Sequence, residues 1–222
     1  GPRNEVRYIG GSFFFPGNGG DSSYNPRFTL GEMIVVRGVI SDEERSIYEG
    51  YLAHKWGIGN NLDPSHAYRA ARPISFEGEH WIPGTSFAKL FWTDKSNQRN
   101  HATTQGSPTW GTNYQNSLPL MTYSGAHGEY HDWEKISDIR TIFWVVRKNG
   151  TDSNRFLLGD WTGSGSGGDY NFHASGNNYL HSGHASTAYA GTLRENGSLI
   201  TNPQGTSLPQ SLSVISLRSY SD

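Results

Sequence analysis

One stretch of this chain is patterned as a helix, and nearly everything around it is patterned as strand and turn. Ser41 is a good N-cap, and Glu44 three residues on completes a capping box. Asp42, Glu43 and Glu44 put negative charge in the first turn, where the helix dipole favours it. Ile47, Tyr48, Tyr51 and Leu52 form an apolar stripe, and Gly57 sits where a left-handed residue stops a helix. The spacing predicts a single α-helix near residues 42–56. By contrast, Phe28–Val39, Thr141–Val146, Arg155–Leu158 and Leu212–Arg218 are apolar runs of strand length, with Val6–Ile9 and Phe13–Phe15 as weaker ones. Gly57–Pro73 reads as an extended surface connection and Gly163–Gly168 as a flexible loop. This pattern predicts an all-β domain carrying one helix.

Composition narrows the function classes. The 222 residues include 28 Gly, 7 Trp, 12 Tyr and 10 Phe, with only 17% charged. Many turns with many large aromatics suit a β-rich domain with binding loops, and the length suits one domain over 3–222. Net charge is −2, so no electrostatic footprint for nucleic acid is present. With no cysteine, disulfides, thiolate metal sites and cysteine nucleophiles are all excluded. No apolar run reaches the roughly 18 residues of a membrane span, so no membrane insertion is expected. Asn149-Gly-Thr151 and Asn196-Gly-Ser198 match glycosylation sequons, but they read first as hairpin turns.

Three separate motifs carry a resemblance. Gly31–Gly57 resembles the closing strand and terminal helix of bacterial concanavalin A-like (laminin-G-like) domains. The Leu-Pro-x-x-His-x-Tyr tail of those domains is matched, with one extra residue, by Leu62-Asp-Pro-Ser-His-Ala-Tyr68. Their opening signature, Trp-x-Asp-Lys-Ser-x-x-x-Asn-His-Ala, is matched by Trp92–Ala102, which here comes after the tail. The family's C-terminal part therefore stands at 3–72, and its N-terminal and middle parts at 73–222. Ile74–Lys89 and the Gly-rich loop match poorly. What the resemblance implies is a concanavalin A-like antiparallel β-sandwich (jelly roll), circularly permuted or cut out of phase from a tandem array. In that arrangement Val6–Ile9 shares one sandwich with Leu212–Arg218.

Several constellations are candidates for chemistry. Laminarinase-type hydrolases of this fold carry a Glu-x-Asp-x-x-Glu strand, which is absent. The nearest carboxylate pairs are Asp132 with Glu134 and Glu77 with Glu79. Residues i and i+2 on a strand lie roughly 6.6 Å apart, close to glycosidase spacing. Asp132-Trp-Glu134, however, falls where the resembled domains place a turn, so no catalytic residues are assigned. His127, His131, His173, His181 and His184 contain a His-x-x-His, a zinc-compatible spacing that is also ordinary loop composition. Asp94, Asn97 and Asn100 offer clustered oxygens for a structural calcium ion; an Asx-turn satisfying backbone amides is the competing reading.

The aromatic set is the most functional-looking feature. Trp161, Tyr170, Tyr179 and Tyr189 lie in a Gly/Ser/Asn/His-rich region, where exposed rings can stack on sugars. A packed aromatic minicore under a long loop is the equal alternative. Trp144 and Trp56 read as core. Phe156–Asp160 and Tyr170–His173 match family segments, but the family's His-Arg-Gly continuation is His173-Ala-Ser here. Asp160, Trp161, Tyr170, His173, Tyr179 and His181 are the candidate ligand-binding residues. The expectation is a non-catalytic glycan-binding module of a secreted or cell-surface bacterial protein, flanked by neighbouring domains. A spacer or protein-interaction repeat of a large adhesin is second, and a polysaccharide hydrolase or lyase third.

Overall fold

The structure is a computed structural model, and it describes residues 6–10, 27–73, 79–83, 91–96, 98–126, 128–136, 139–150, 156–159, 172–173, 178–180, 182 and 186–219. In chain order the elements are β1 (Val6–Gly10), β2 (Arg27–Arg37), α1 (Asp42–Lys55), β3 (Glu79–Pro83), β4 (Phe91–Asp94), β5 (Ala102–Gln105), β6 (Thr109–Gln115) and β7 (Leu118–Ser124). They continue with β8 (Tyr130–Ile136), β9 (Ile139–Lys148), β10 (Phe156–Gly159), β11 (Phe172–His173), a single helical turn at Ser186–Tyr189, β12 (Thr192–Glu195), β13 (Ser198–Leu199) and β14 (Ser213–Arg218). The chain is mostly β, every strand pairing is antiparallel, and the strands follow one path: β11-β10-β1-β8-β5-β4-β3-β2-β9-β14-β12-β13. The β6–β7 hairpin joins that path through β2. Phe13–Phe15 and Gly163–Gly168 lie outside the described residues.

β2 explains how one strand serves two cores. Phe28 and Leu30 face the same core cluster as Met33 and Val35, although strict alternation would send the two pairs to opposite faces. The switch is a bulge: β2 advances from Leu30 to Glu32 while its partner β9 moves only from Val146 to Val145. Gly31 sits in this bulge with the Trp56 ring against it, and a Cβ there would lie 2.9 Å from that ring. The first cluster gathers Ile142, Trp144 and Val146 of β9 with Ile215 and Leu217 of β14. It also takes Ile9 of β1, Ala102 of β5 and Trp133 and Ile136 of β8. The first and last strands thus contribute to one core without pairing with each other.

The opposite face of β2, β9 and β14 is covered by α1. Ile34, Phe143, Val145 and Val214 meet Tyr48, Leu52, Ala53 and Trp56 in the second cluster. The helix is bounded as its sequence dictates. Glu44 N–H donates to Ser41 Oγ at 3.1 Å, Ser41 N–H donates to Glu44 Oε2 at 2.8 Å, and Gly57 takes φ +67°. Its buried face differs from the expected stripe: Arg45, Tyr48, Glu49, Gly50, Leu52 and Ala53 are buried, while Ile47 and Tyr51 are only partly so. Charged side chains can line that face because partners wait for them. Glu49 Oε2 meets His66 Nε2 at 3.1 Å, Glu49 Oε1 lies 3.3 Å from Arg45 Nε, and Ser216 Oγ donates to Glu49. Asp42 bridges Arg45 and Arg218 at 2.9 and 3.0 Å. Burial pulls the Arg45 pKa below its ordinary value against the opposing field of Glu49.

The segment after the helix is docked, not an extended surface connection. A 3-10 turn at Gly59–Asn61 leads to buried Leu62 and to a run of turns. His66 Nδ1 accepts from Tyr68 N–H, which leaves its Nε2 to donate to Glu49. Tyr68 packs over Gly50 so closely that a Cβ there would lie 2.5 Å away. Asp63 accepts from Ser65 and from Ser198 of β13, and these hydrogen bonds hold its carboxyl down to about 2. The Leu-x-Pro-x-His-x-Tyr run is therefore a clasp between α1 and the β12–β13 hairpin. That hairpin turns through Asn196 and Gly197 at φ +50° and +86°, as the Asn-Gly pair dictates.

Candidate functional site

The Asp94 turn is assembled by its own backbone. Asp94 is 5% exposed, and its two carboxylate oxygens accept from Ser96 N–H (2.7 Å), Ser96 Oγ (2.9 Å) and Asn100 N–H (2.7 Å). Asp94 N–H donates in turn to His101 Nδ1, and Asn100 Nδ2 donates to Glu134 O. This is the Asx-type arrangement, in which a short acid holds amides that a tight loop cannot pair otherwise. A calcium ion would have to share oxygens already taken. Asn97 lies outside the described residues, and among the described residues no three His, Asp or Glu side chains converge on a common point.

Of the histidine constellation, His131 is placed most fully, and it is core. It is fully buried, with Nδ1 2.6 Å from Tyr123 Oη and Nε2 2.8 Å from Thr104 Oγ1. Burial lowers its pKa to about 3 and raises that of Tyr123 well above the ordinary phenol value. Both ring nitrogens are engaged, so it is not presented as a metal ligand. His173 closes β11, opposite Phe156 of β10. His127, His181 and His184 lie outside the described residues.

The aromatic candidates divide. Tyr179 is 3% exposed, and its hydroxyl donates to Glu195 Oε2 at 2.7 Å. Burial first, then Glu195, hold its pKa far above normal. Its ring belongs to the core with Trp144, Leu180 and Leu193, where the packed alternative placed it. Tyr189 is partly buried against the same cluster. A small cavity beside Tyr179 is lined by Trp144, Val146, Leu180, Leu193, Ile215 and Leu217. Such an apolar lining lacks the convergent polar groups a sugar requires. Asp160, Trp161, Tyr170 and His181 lie outside the described residues. By chain order the first three belong to the connection between β10 and β11, which pair with each other at one end of the strand path.

The carboxylate pair stands elsewhere than the sequence reading put it. Asp132-Trp-Glu134 lies inside β8 and not in a turn. His131 and Trp133 face the core, while Asp132 is partly exposed and Glu134 exposed. β8 carries an irregularity here: it runs from Asp132 to Ile136 while β1 moves only from Tyr8 to Val6. This accounts for Trp133 and Ile136 sharing one core despite their odd spacing. Asp132 is a residue that sequence reasoning misplaced. Its alternation with buried His131 and Trp133 was the available signal, masked by the polar run Glu129-Tyr-His-Asp132.

No helix among the described residues is long and apolar enough to cross a membrane. No protein-family model matches this chain, and neither a curated protein nor a solved structure matches it. The resemblance to concanavalin A-like domains accordingly rests on the three motifs themselves.

Proposed function

We propose that this chain is a non-catalytic carbohydrate-binding module, built as a permuted concanavalin A-like β-sandwich of a secreted or cell-surface protein. The observation that carries it is the β10–β11 pairing. It brings the two ends of an aromatic, Gly/Ser-rich connection side by side at the edge of the strand path. Loops held on a rigid sheet are where binding residues concentrate, and Trp161 and Tyr170 supply flat faces for sugar rings. The shared core of β1, β5 and β8 with β2, β9 and β14 supports the sandwich. Ile9 and Leu217 in that core support the permuted order. The placement in a secreted or surface protein beside neighbouring domains rests on the resemblance alone.

A second reading, polysaccharide hydrolase, is favoured by one observation: Asp132 and Glu134 stand two residues apart on β8, both away from the core. Binding to an array of glycans, with and without calcium, combined with a reducing-end assay, separates the readings. The expected result is binding without new reducing ends, weakened at least tenfold in Trp161→Ala or Tyr170→Ala at unchanged melting temperature. Cleavage would establish the hydrolase. Binding to no glycan would leave a spacer or interaction repeat.

A further inference from the structure

We infer that the outer face of β6, β7, β2 and β9 holds an oxyanion site at Arg147, shaped for the carboxylate or sulfate group of an acidic saccharide. The site is separate from the β10–β11 connection and goes beyond the reading that places sugar stacking there. The starting point is a cation without an anion. Arg45 and Arg218 share Asp42, and Lys55 meets Glu32. Arg147 has neither an ion pair nor a hydrogen bond among the described residues, although it is only partly exposed and its Nε is sealed from solvent. Its Nη1 and Nη2 are not sealed, so an arriving group meets the guanidinium where it stands. A charged N–H left unmet in this way is costly. The planar fork of an Arg fits two oxygens of a carboxylate or sulfate at once.

The neighbours of Arg147 supply the rest. Thr109, Thr122, Thr29 and Arg147 stand opposite one another on β6, β7, β2 and β9, and so form one row on one face. Three strand spacings make that row about 14 Å long. Farther along, the same face carries Leu120 and Val145 under α1, while Phe28, Tyr123 and Val146 turn to the other core. Proton counting sets the polarity of the row. Asn149 Nδ2 donates to Thr29 Oγ1 at 2.8 Å, and Thr29 Oγ1 lies 3.1 Å from Thr122 Oγ1. The two threonines carry two hydroxyl protons, and the bond between them uses one. Thr29 is 1% exposed and Thr122 is partly exposed, so the favoured direction has Thr29 donate and turns the Thr122 proton outward. The row therefore presents donors at Thr122 and Arg147. In the adjoining row the exposed Arg27 stands opposite Ser124, while Glu129 is buried with both oxygens on Ser124. Donors beside cations select an anion. A small inorganic anion at Arg147 leaves the Thr122 proton unused, whereas an acidic sugar meets both. An acidic peptide fits less well: a strand would add to the edge of β6, which pairs only with β7 among the described residues, and not to side chains standing on the face.

The test compares the whole chain with Arg147→Gln, Arg147→Lys, Thr122→Val and Arg37→Gln, the last removing an exposed cation at the far end of β2. The probes, followed by calorimetry, are a uronate oligosaccharide, a sulfated oligosaccharide, a neutral gluco-oligosaccharide, sodium sulfate and a polyglutamate peptide. Wild type should bind at least one acidic saccharide, and more tightly than it binds sodium sulfate. Arg147→Gln should lose about tenfold or more in affinity, and Arg147→Lys less, because charge is kept while the fork is lost. Thr122→Val should lose about threefold, and Arg37→Gln should bind as wild type does. The melting temperature of Arg147→Gln should hold, since no bond within the chain is removed. Equal losses in Arg147→Gln and Arg37→Gln would mean diffuse attraction and overturn the site. So would a lowered melting temperature in Arg147→Gln, sulfate binding as tight as that of the saccharides, or a preference for polyglutamate. Neutral saccharide bound with neither acidic one overturns this site alone and leaves the stacking reading intact. Acidic saccharide bound through Arg147, with Trp161→Ala and Tyr170→Ala without effect on any saccharide, supports this site and removes the other.

Discussion

The carboxylates buried under α1 and the carboxylate on β8 are treated in opposite ways by the same fold. Glu32 is fully buried, yet Lys55 Nζ and Trp56 Nε1 reach its oxygens at 2.8 and 2.9 Å. Glu49 is 1% exposed and is met by Arg45, His66 and Ser216. Asp132 is more open, yet one of its oxygens has no donor among the described residues. The carboxylate oxygens of Glu32 and Glu49 are met where they join elements, because an unpaired buried carboxylate costs several kcal/mol.

The sharpest way to break that contrast is to remove a completed partner. Glu49→Ala leaves Arg45 buried beside Arg194 and Arg218 with its buried anion gone and the exposed Asp42 as its remaining ion-pair partner. Chemical denaturation should show a loss of about 3–5 kcal/mol. Near-neutral stability in this variant would mean the ion lattice is incidental to the docking of α1.

The next effect comes from His131. Its folded pKa of about 3 lies below the ordinary 6.5, so below 6.5 the unfolded chain takes up a proton that the folded chain refuses. Stability from this group is therefore complete above 6.5 and falls by about 1.4 kcal/mol per pH unit on the way down toward 3. Unfolding free energies at pH 6.5 and 4.5 should differ by about 2–2.5 kcal/mol more in wild type than in His131→Gln. Equal slopes would place the ring in contact with water.

The smallest effect concerns the Asp94 turn. Asp94→Ala removes the acceptor of three hydrogen bonds, and a loss of about 2 kcal/mol is expected. Excess chelator should leave the wild-type melting temperature unchanged. A drop on chelation would show an ion sharing those oxygens and would make this turn a third kind of carboxylate site.

What could be read from the sequence was what local rules decide. The capping box at Ser41, the stop at Gly57, the apolar runs of β9 and β14 and the Asn196–Gly197 turn all depend on neighbours in sequence. The buried face of α1 was not legible, because Arg45 and Glu49 are polar until Ser216 and His66 are brought against them. The parity switch at Gly31–Glu32 was equally hidden: a bulge is a property of two strands, and only one was being read. At the candidate site, Tyr179 could not be told from an exposed ring, since its fate depends on Glu195 and the β14 core. Asp132 reads as a turn residue because its polar neighbours conceal a strand that is buried on one side only. Asp160, Trp161, Tyr170, His181 and Asn97 lie outside the described residues and stand as the sequence placed them.

The link between Glu49 and Ser216 spans 167 positions of the chain, and that span dictates an order of events. A helix of this length forms within about a microsecond, and its capping signals are present as soon as it is made. Arg45 and His66 can meet its buried acid early, but the Ser216 hydrogen bond cannot form until β14 has been synthesised and has come to rest against β9. Assembly dominated by such distant pairings proceeds in milliseconds to seconds. For most of that interval Glu49 lacks its Ser216 donor and Asp42 its Arg218 partner. The helix that is easiest to recognise is thus among the last elements to be secured.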